Sequence, residues 1–333
     1  MQVDKELLKN LVSKTQCYQE QVPVFRIRQQ NATELHAEIL RMALPFTGQA
    51  STREFRYKAE RGETMTRLLL PEGATLTYFH LSGHRIFDRH TDPFTNLVAE
   101  DATKLDIETL KKGAGDLVEK HQLNPSGALE SLEFERLWQL KASGINQEKQ
   151  QGNVVVNRLV YAYRRSLAGL PVWGSASVFI KAAADQEVDS FGIDWRPVHD
   201  AHIHKAYILD PQDAATRVLE ELQHINPERM LAARNCTVES FALGYFSDAK
   251  DNFQSFMQPV WVAKFISQGT TRMGRIVVIP ATNTAYEPVS RKAGPPPFNE
   301  RRVLQSQATC GCHKPTATTE NQQSSEAELA SGA

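Results

Sequence analysis

Long apolar runs and an excess of charge of one sign are both absent from this sequence. No stretch approaches the roughly 20 apolar residues that a helix needs to cross a bilayer, so no membrane span is predicted. The 333 residues include 38 Lys and Arg and 39 Asp and Glu, which gives a formal net charge of −1. Non-specific nucleic-acid binding requires a clear cationic excess or stripe. The sequence therefore predicts no nucleic-acid partner.

Cysteine is scarce. The four cysteines show no spacing typical of a disulfide framework, which is compatible with a reducing compartment. Cys17 and Cys236 are isolated, as buried thiols commonly are. Cys310 and Cys312 stand beside His313 and could hold a soft metal or form a redox pair. Two thiolates and one imidazole are too few for a closed structural zinc site, so uncontrolled oxidation is the competing interpretation.

Targeting and catalytic motifs are missing as well. The N-terminus, Met1–Leu8, lacks the charged-then-apolar pattern of a secretory signal. We therefore expect a cytoplasmic protein on the sequence as given, or a secreted one if a signal was removed. There is no Gly-rich phosphate loop, no His-Glu-x-x-His and no Gly-x-Ser-x-Gly. The motifs thus leave open whether the protein is an enzyme.

What the sequence does contain is an alternation of helices and strands. Amphipathic helices are predicted over Asn31–Ala43, over about Asp101–His121, and from Asp210, where an Asp cap precedes Pro211 and Asn226 ends the helix. Strand patterns follow each helix. An antiparallel sheet with one apolar face must bury that face, and one helix laid across it does so. The sequence therefore predicts an α+β fold.

The central strands carry a resemblance to a known family. Tyr161-Ala-Tyr-Arg-Arg-Ser-Leu-Ala-Gly-Leu-Pro-Val-Trp-Gly174 runs into a Val-rich strand, a turn at 184–186 and Glu187-Val-Asp-Ser-Phe-Gly-Ile193. This pattern resembles the pro-region (FTP and PepSY) modules of thermolysin-like secreted metalloproteases. The resemblance implies cystatin-like units, each an antiparallel sheet packed on one helix. The protease that normally follows these modules is absent, so no catalytic residue of the family is carried over.

A tandem arrangement follows from the repeated helix–strand pattern. A similar but looser pattern occurs at Ala242–Tyr245 and Gln258–Val262. The predicted segments are an N-terminal helical extension over 1–20, α+β units over 21–98, 99–198 and 199–285, and a Pro-rich linker with a disordered tail over 286–333.

Arginine and tryptophan side chains are the candidate binding residues: Arg164, Arg165, Trp173, Trp195 and Trp261. Alternation along a strand sends one Arg outward and the other inward. The two could bind a partner's carboxylate, or form edge-strand charges and a structural salt bridge. The Trp side chains could line a binding groove, or be core residues.

Histidines form the candidate metal site. His199, His202 and His204 lie close together, and two imidazoles of an extended His-x-His share one side of a strand. Tyr207 could serve as a proton donor nearby. The competing interpretation is a polar connector between two units, because catalytic zinc requires ligands held on a rigid frame.

A second group of polar residues has two interpretations. It could carry out general acid–base catalysis, or it could be a solvated loop. Its members are His80, His84, Asp88, His90 and Asp92.

The leading functional hypothesis is a non-catalytic binding or regulatory protein that engages a peptide or protein through a sheet edge or concave sheet face, without a cofactor. The resemblance makes protease-directed binding one specific version. The alternative is a small-molecule or metal-dependent enzyme that uses a cavity between helix and sheet with His202, His204 and Tyr207. A third hypothesis is a structural role, indicated by a stable homo-oligomer.

Overall fold

The described part of the chain ends at residue 289. The computed structural model describes residues 5–29, 33–34, 37–38, 41–42, 53–58, 64–70, 73–80, 82–91, 95–99, 106–121, 123–124, 127–143, 154–194, 196–225, 236–248, 253–267, 274–287 and 289. The predicted helix over 31–43 lies largely outside these ranges, and the predicted tail and Cys310–His313 lie wholly outside them. All described residues belong to one compact unit.

Three continuous α-helices are described, and each lies within a segment that the sequence predicts to be helical. They are α1 (Lys5–Ser13), α2 (Ile107–Lys120) and α3 (Pro211–Ile225). Asp106 caps α2, because its carboxylate accepts hydrogen bonds from the backbone N–H groups of residues 108 and 109. Asp210 caps α3 in the same way, at 2.8 and 3.1 Å. No helix in the described ranges is long and apolar enough to span a membrane.

Strands make up most of the described structure. They are β1 (Thr15–Gln16), β2 (Gln21–Ile27), β3 (Arg53–Lys58), β4 (Thr64–Leu69), β5 (Thr75–Phe79), β6 (Arg85–Asp88), β7 (Glu130–Ala142), β8 (Val155–Leu167), β9 (Leu170–Gly174), β10 (Ser177–Ala182), β11 (Val188–Asp194), β12 (Val198–Tyr207), β13 (Cys236–Ser247), β14 (Phe256–Ser267) and β15 (Gly274–Pro280). Of the three strands predicted between residues 157 and 194, the first and last are confirmed as β8 and β11, whereas the predicted middle strand, Pro171–Lys181, is divided into β9 and β10. The predicted turn at 184–186 is also confirmed, and the chain turns between β8 and β9 at Gly169, which has a φ of +78°.

The sheet has two halves. In the first half, β7, β8, β10, β11, β6, β5, β4 and β3 are neighbours in that order, and all pair antiparallel. In the second half, β14 pairs antiparallel with β13, β15 and β2, and β2 pairs antiparallel with β12. β1 pairs parallel with β13.

One short strand joins the two halves. β9 follows β8 through a tight turn and pairs with it antiparallel, at Ser166 with Pro171 and Leu167 with Leu170. β9 also pairs parallel with β13, from Val172 opposite Tyr245 to Gly174 opposite Ser247. Backbone hydrogen bonds are therefore continuous from one half to the other.

Each half has its own apolar core. In the first half, side chains from α2 pack with those of the sheet, among them Leu117, Phe87 and Phe191. In the second half, α1 and α3 contribute Leu11 and Val218, Leu219, which pack with Phe241 and Trp261. At about 25 cal/mol per Å² of apolar surface removed from water, these cores are the main source of stability.

The prediction of tandem cystatin-like units, each a separate sheet packed on one helix, is wrong. The strands form one large, mostly antiparallel mixed sheet, and strand residues far outnumber helical ones in the described ranges. The physical reason is edge satisfaction: unpaired N–H and C=O groups at the rim of a separate unit favour pairing with a neighbour. β9 supplies that pairing, and β2 from the N-terminal segment joins the C-terminal strands.

Candidate functional site

Strand β12 forms one edge of the sheet. It pairs antiparallel with β2, and no other strand in the described ranges pairs with it. Every side chain from His199 to Lys205 is exposed, whichever way alternation points it. Ile203 is 48% exposed and Tyr207 77% exposed. The backbone groups along the outer side of β12 are thus available to pair with another extended chain.

The pairing of β12 with β2 is irregular at its start and regular at its end. The register shifts between Val198 and His202, and again between His202 and His204. From His204 to Tyr207 the residues pair one to one with β2. Bulges twist a strand and break the regular row of edge groups, so the regular four-residue stretch is the better template.

The predicted metal ligands all lie on this strand but do not converge. His202 lies edge-on to Phe25, with 6.5 Å between ring centroids. The His204 Nε2 atom is 2.6 Å from the Tyr286 hydroxyl, and His199 is exposed. Within the described residues, no group of three or more His, Cys, Asp or Glu side chains is placed to hold a metal ion. Tyr207 projects into solvent rather than into a cavity between helix and sheet.

Arg164 and Trp173 meet on the outer face near the junction of the two halves. The Arg164 guanidinium lies 4.4 Å from the centre of the Trp173 ring, and Lys264 Nζ lies 4.5 Å from it. Arg164 also pairs with Glu135. Burial, and then the charge of Arg164, lower the pKa of Lys264. Cation–π contacts therefore cover the indole that the sequence offered as a binding surface.

Arg165 points inward, as strand alternation predicts. It is fully buried and pairs with Glu130, with 2.5 Å between Nη2 and Oε1. Its other terminal nitrogen donates a 2.8 Å hydrogen bond to the carbonyl of Arg196. Burial lowers the pKa of Arg165, and the carboxylate of Glu130 opposes that change. The structure thus gives Arg165 a connecting role inside the protein.

Trp261 offers no exposed groove. Trp261 is fully buried, donates a hydrogen bond to the Leu209 carbonyl at 3.2 Å and stacks on Phe241 at 4.6 Å. Trp195 lies outside the described residues.

The described histidines of the second group contact different partners at separate positions. His80 contacts Thr66 at 2.8 Å, His84 lies 3.3 Å from Asp194, and His90 lies beside Asp88. Asp92 lies outside the described residues. These are local contacts of strand ends, and they bring no acid–base pair into a shared cleft.

Sequence reasoning missed Ile203 as a surface residue. It stands between two histidines in the stretch His199–Lys205, where polar residues occupy both odd and even positions. A strand with one buried face alternates polar and apolar residues. The lack of alternation was the available signal that neither face of β12 is covered.

Comparisons with known proteins give a fold but no family. No family model and no curated protein match the sequence. The fold is similar to the crystal structure of an uncharacterized protein from Eubacterium rectale ATCC 33656, with a TM-score of 0.51 and 9% identity. The match covers 86% of this chain and 99% of that one. At this identity the likeness shows a shared fold alone, and the resemblance to PepSY-type modules stays a prediction.

Proposed function

We propose that the protein is a non-catalytic binding protein that engages an extended polypeptide along β12. The observation that carries the proposal is a ten-residue edge strand that is exposed on both faces and paired on one side within the described structure. An extended chain adds to such an edge through main-chain hydrogen bonds, which supply affinity. Side-chain contacts then supply specificity.

The side chains of β12 favour a partner segment with acidic and apolar residues. Lys205 and Tyr207 pair with consecutive odd-numbered positions of β2, so they project on the same face. An acidic side chain opposite Lys205 and an apolar one beside Tyr207 complement that face. Cross-strand pairs of this kind contribute about 0.2–1 kcal/mol each. The main-chain bonds must therefore supply the larger share of the affinity.

The same strand carries features that limit uncontrolled pairing. Register shifts, Asp200 and Lys205 are devices that keep edge strands from aggregating. The register shifts and Asp200 lie in the N-terminal part and the centre of β12, whereas residues 204–207, which include Lys205, pair regularly. This division supports selective binding of a short segment. Protease-directed binding is a narrower version that rests on the family resemblance alone.

A peptide-display experiment tests the proposal. A library of random linear peptides is selected on the full chain, and bound peptides are mapped by hydrogen exchange. We expect slowed exchange of β12 amides, and about twofold to fivefold weaker binding by each of Ile203→Ser and Tyr207→Ser, the loss of one cross-strand contact of up to about 1 kcal/mol. Leu129→Ser, which removes an exposed apolar side chain in the other half, is the matched control and should change affinity less than twofold.

Two results would overturn this proposal. One is a set of peptides that protect amides elsewhere and bind all three variants equally. The other is a stable dimer that buries β12 and excludes every peptide, which would make the third hypothesis, self-association, the role of this edge.

The metal-dependent alternative has its own test. Stoichiometric zinc, iron or copper in purified protein, lost in the double variant His202→Ala and His204→Ala, would favour an enzyme. The separate surroundings of these two histidines give that alternative no geometric support.

A further inference from the structure

A small cavity is lined by residues from both halves of the sheet and by none of the residues of β12. Its volume is about 190 Å³. Its polar lining residues include Arg28, Tyr78, His80, Ser82, Arg196 and Gln254. Sites for drug-sized ligands usually measure about 300–1,000 Å³. This cavity therefore suits a compact ligand.

Backbone hydrogen bonds fix the segments that carry the lining residues. Arg28 directly follows β2, and its N–H donates a 2.8 Å hydrogen bond to the Pro197 carbonyl. The neighbouring N–H of Ile27 donates to the Ser255 carbonyl, also at 2.8 Å. The N–H of Phe79, at the end of β5, bonds the His84 carbonyl at 2.8 Å and so closes the turn that carries Ser82. The cavity walls are thus built from both halves and are preorganised.

The inner wall is cationic. Arg196 is 2% exposed, and its Nη1 donates to Ser247 Oγ at 3.2 Å and to the Asp248 carbonyl at 2.7 Å. Arg28 is exposed and stands at the mouth. Among the described residues that line the cavity there is no Asp or Glu. Glu38 lies near Tyr78, but it is paired with Arg85 at 2.7 Å.

Hydroxyl groups supply further donors. Ser82 is 2% exposed, and its Oγ accepts a bond from the His84 N–H at 3.3 Å, which leaves the hydroxyl proton available within the described structure. Burial is the main cause that raises the pKa of Tyr78 to about 12, and a phenol is protonated at neutral pH even at its ordinary pKa of about 10. Gln254 is already engaged, since its amide bonds Asp248 N and the carbonyls of Phe246 and Phe256.

We propose that this cavity binds a compact oxyanion, a small carboxylate or a phosphate-bearing molecule, between Arg28 at the mouth and Arg196 with Ser82 inside. Guanidinium groups match the geometry of carboxylate and phosphate oxygens and form short, charge-assisted hydrogen bonds with them. The volume excludes a whole nucleotide but admits one oxyanion group with a short attached chain. Because the lining comes from both halves, a bound anion would also stabilise their junction.

Calorimetric titration of the full chain with inorganic phosphate, and separately with succinate, tests the proposal. Ionic strength is held constant with sodium chloride, and thermal unfolding is followed in parallel. We expect one saturable site per chain and a rise in the unfolding temperature for at least one probe. Phosphate binding alone assigns a phosphate-bearing ligand, succinate binding alone assigns a carboxylate, and binding of both assigns the shared oxyanion chemistry.

A matched pair of charge reversals makes the test specific. Arg28→Glu should weaken binding at least tenfold, whereas Arg26→Glu, two residues earlier on β2, exposed and outside the lining, should weaken it less than twofold. Ser82→Ala should weaken binding about threefold to tenfold, the loss of one hydrogen bond of about 1 kcal/mol. An unchanged unfolding temperature of the free variants shows that they are folded.

Three outcomes would overturn the proposal. The first is that neither probe shows saturable binding at 20 mM, roughly the weakest affinity worth attributing to a specific site. The others are equal weakening of binding by both charge reversals, and undiminished binding by Arg28→Glu. None of these outcomes bears on peptide binding at β12, so the two proposals fail separately.

Discussion

At the scale of single residues, the stability of this protein is most sensitive to its buried ion pairs. Arg158 on β8 pairs with Asp189 on β11, and both side chains are almost fully buried. Arg158 Nη1 also donates to the carbonyls of Thr95 at 2.8 Å and Asn157 at 2.7 Å. A buried charge that loses its partner pays the full cost of desolvation. The pair is therefore sensitive to the removal of either member.

This sensitivity gives a residue-scale prediction. Asp189→Ala should lower the free energy of unfolding by about 3–5 kcal/mol, because it leaves the guanidinium buried and uncompensated. Glu135→Ala, which removes the partner of Arg164 near the surface, should cost about 1 kcal/mol or less. Urea denaturation of both variants measures the difference. Equal losses would show that burial does not govern the strength of these pairs.

At the scale of elements, the junction strand depends on two glycines. Gly174 has a φ of +87°, a left-handed conformation that strains other residues. A Cβ atom on Gly244 of β13 would lie 2.6 Å from Trp173 Nε1 and even closer to the Pro171 carbonyl oxygen. Backbone atoms cannot move aside cheaply at such a contact. The absence of a side chain is thus what lets β9 and β13 pair.

Two glycine-to-alanine changes should have opposite effects. Gly244→Ala should lower the free energy of unfolding by about 1–3 kcal/mol, the usual cost of overpacking. Gly115→Ala should raise it by up to about 1 kcal/mol, because a Cβ at Gly115 in α2 meets nothing within 4 Å and alanine favours a helix. Chemical denaturation measures both changes. A neutral Gly244→Ala would contradict the close approach at the junction.

Local signals predicted individual elements well. The cap at Asp210 and the turn at 184–186 are short-range features that the sequence predicted, and the structure confirms both. Gly113 lowers helix propensity, yet α2 continues through it. There a Cβ would lie 1.9 Å from Nε2 of Gln186, at the flexible end of a side chain on the neighbouring turn.

At the scale of the whole molecule, polar bonds reinforce the strand junction. Glu130 and Arg165 lie in the first half, the Arg196 carbonyl accepts a bond from Arg165, and the Arg196 guanidinium reaches Ser247 at the end of β13. With the β9–β13 pairing, these bonds couple the two apolar cores.

The coupling predicts one cooperative unfolding unit. Native-state hydrogen exchange should give the same opening free energy for Val178 in the first core and Val262 on β14 in the second half. In Glu130→Gln, which weakens the charge pair that begins the chain of bonds, the two values should diverge by about 1 kcal/mol or more. Unequal values in the unaltered protein would show that the halves open independently.

The candidate sites also combine features that a local sequence pattern predicts with contacts between residues far apart in the sequence. The polar stretch His199–Lys205 identified an exposed segment and its histidines, but nothing in it predicts that β2 covers one side and no described strand the other. Arg28 and Arg196 lie 168 positions apart in the sequence (196 minus 28), so no local motif joins them.

The sequence by itself located the described helices and the strand regions between residues 157 and 194, because turns and periodicity act over a few residues, but it did not predict β2 or β6 as strands. It also determined that Arg164 and Arg165 point in opposite directions, since a strand alternates. Only the tertiary structure decided that the strands form one sheet, that Arg165 is internal, and that a cationic cavity opens between the halves. These features depend on which strand edges pair across long separations in the sequence. The free energy of each pairing depends on both strands together, so neither strand predicts it alone.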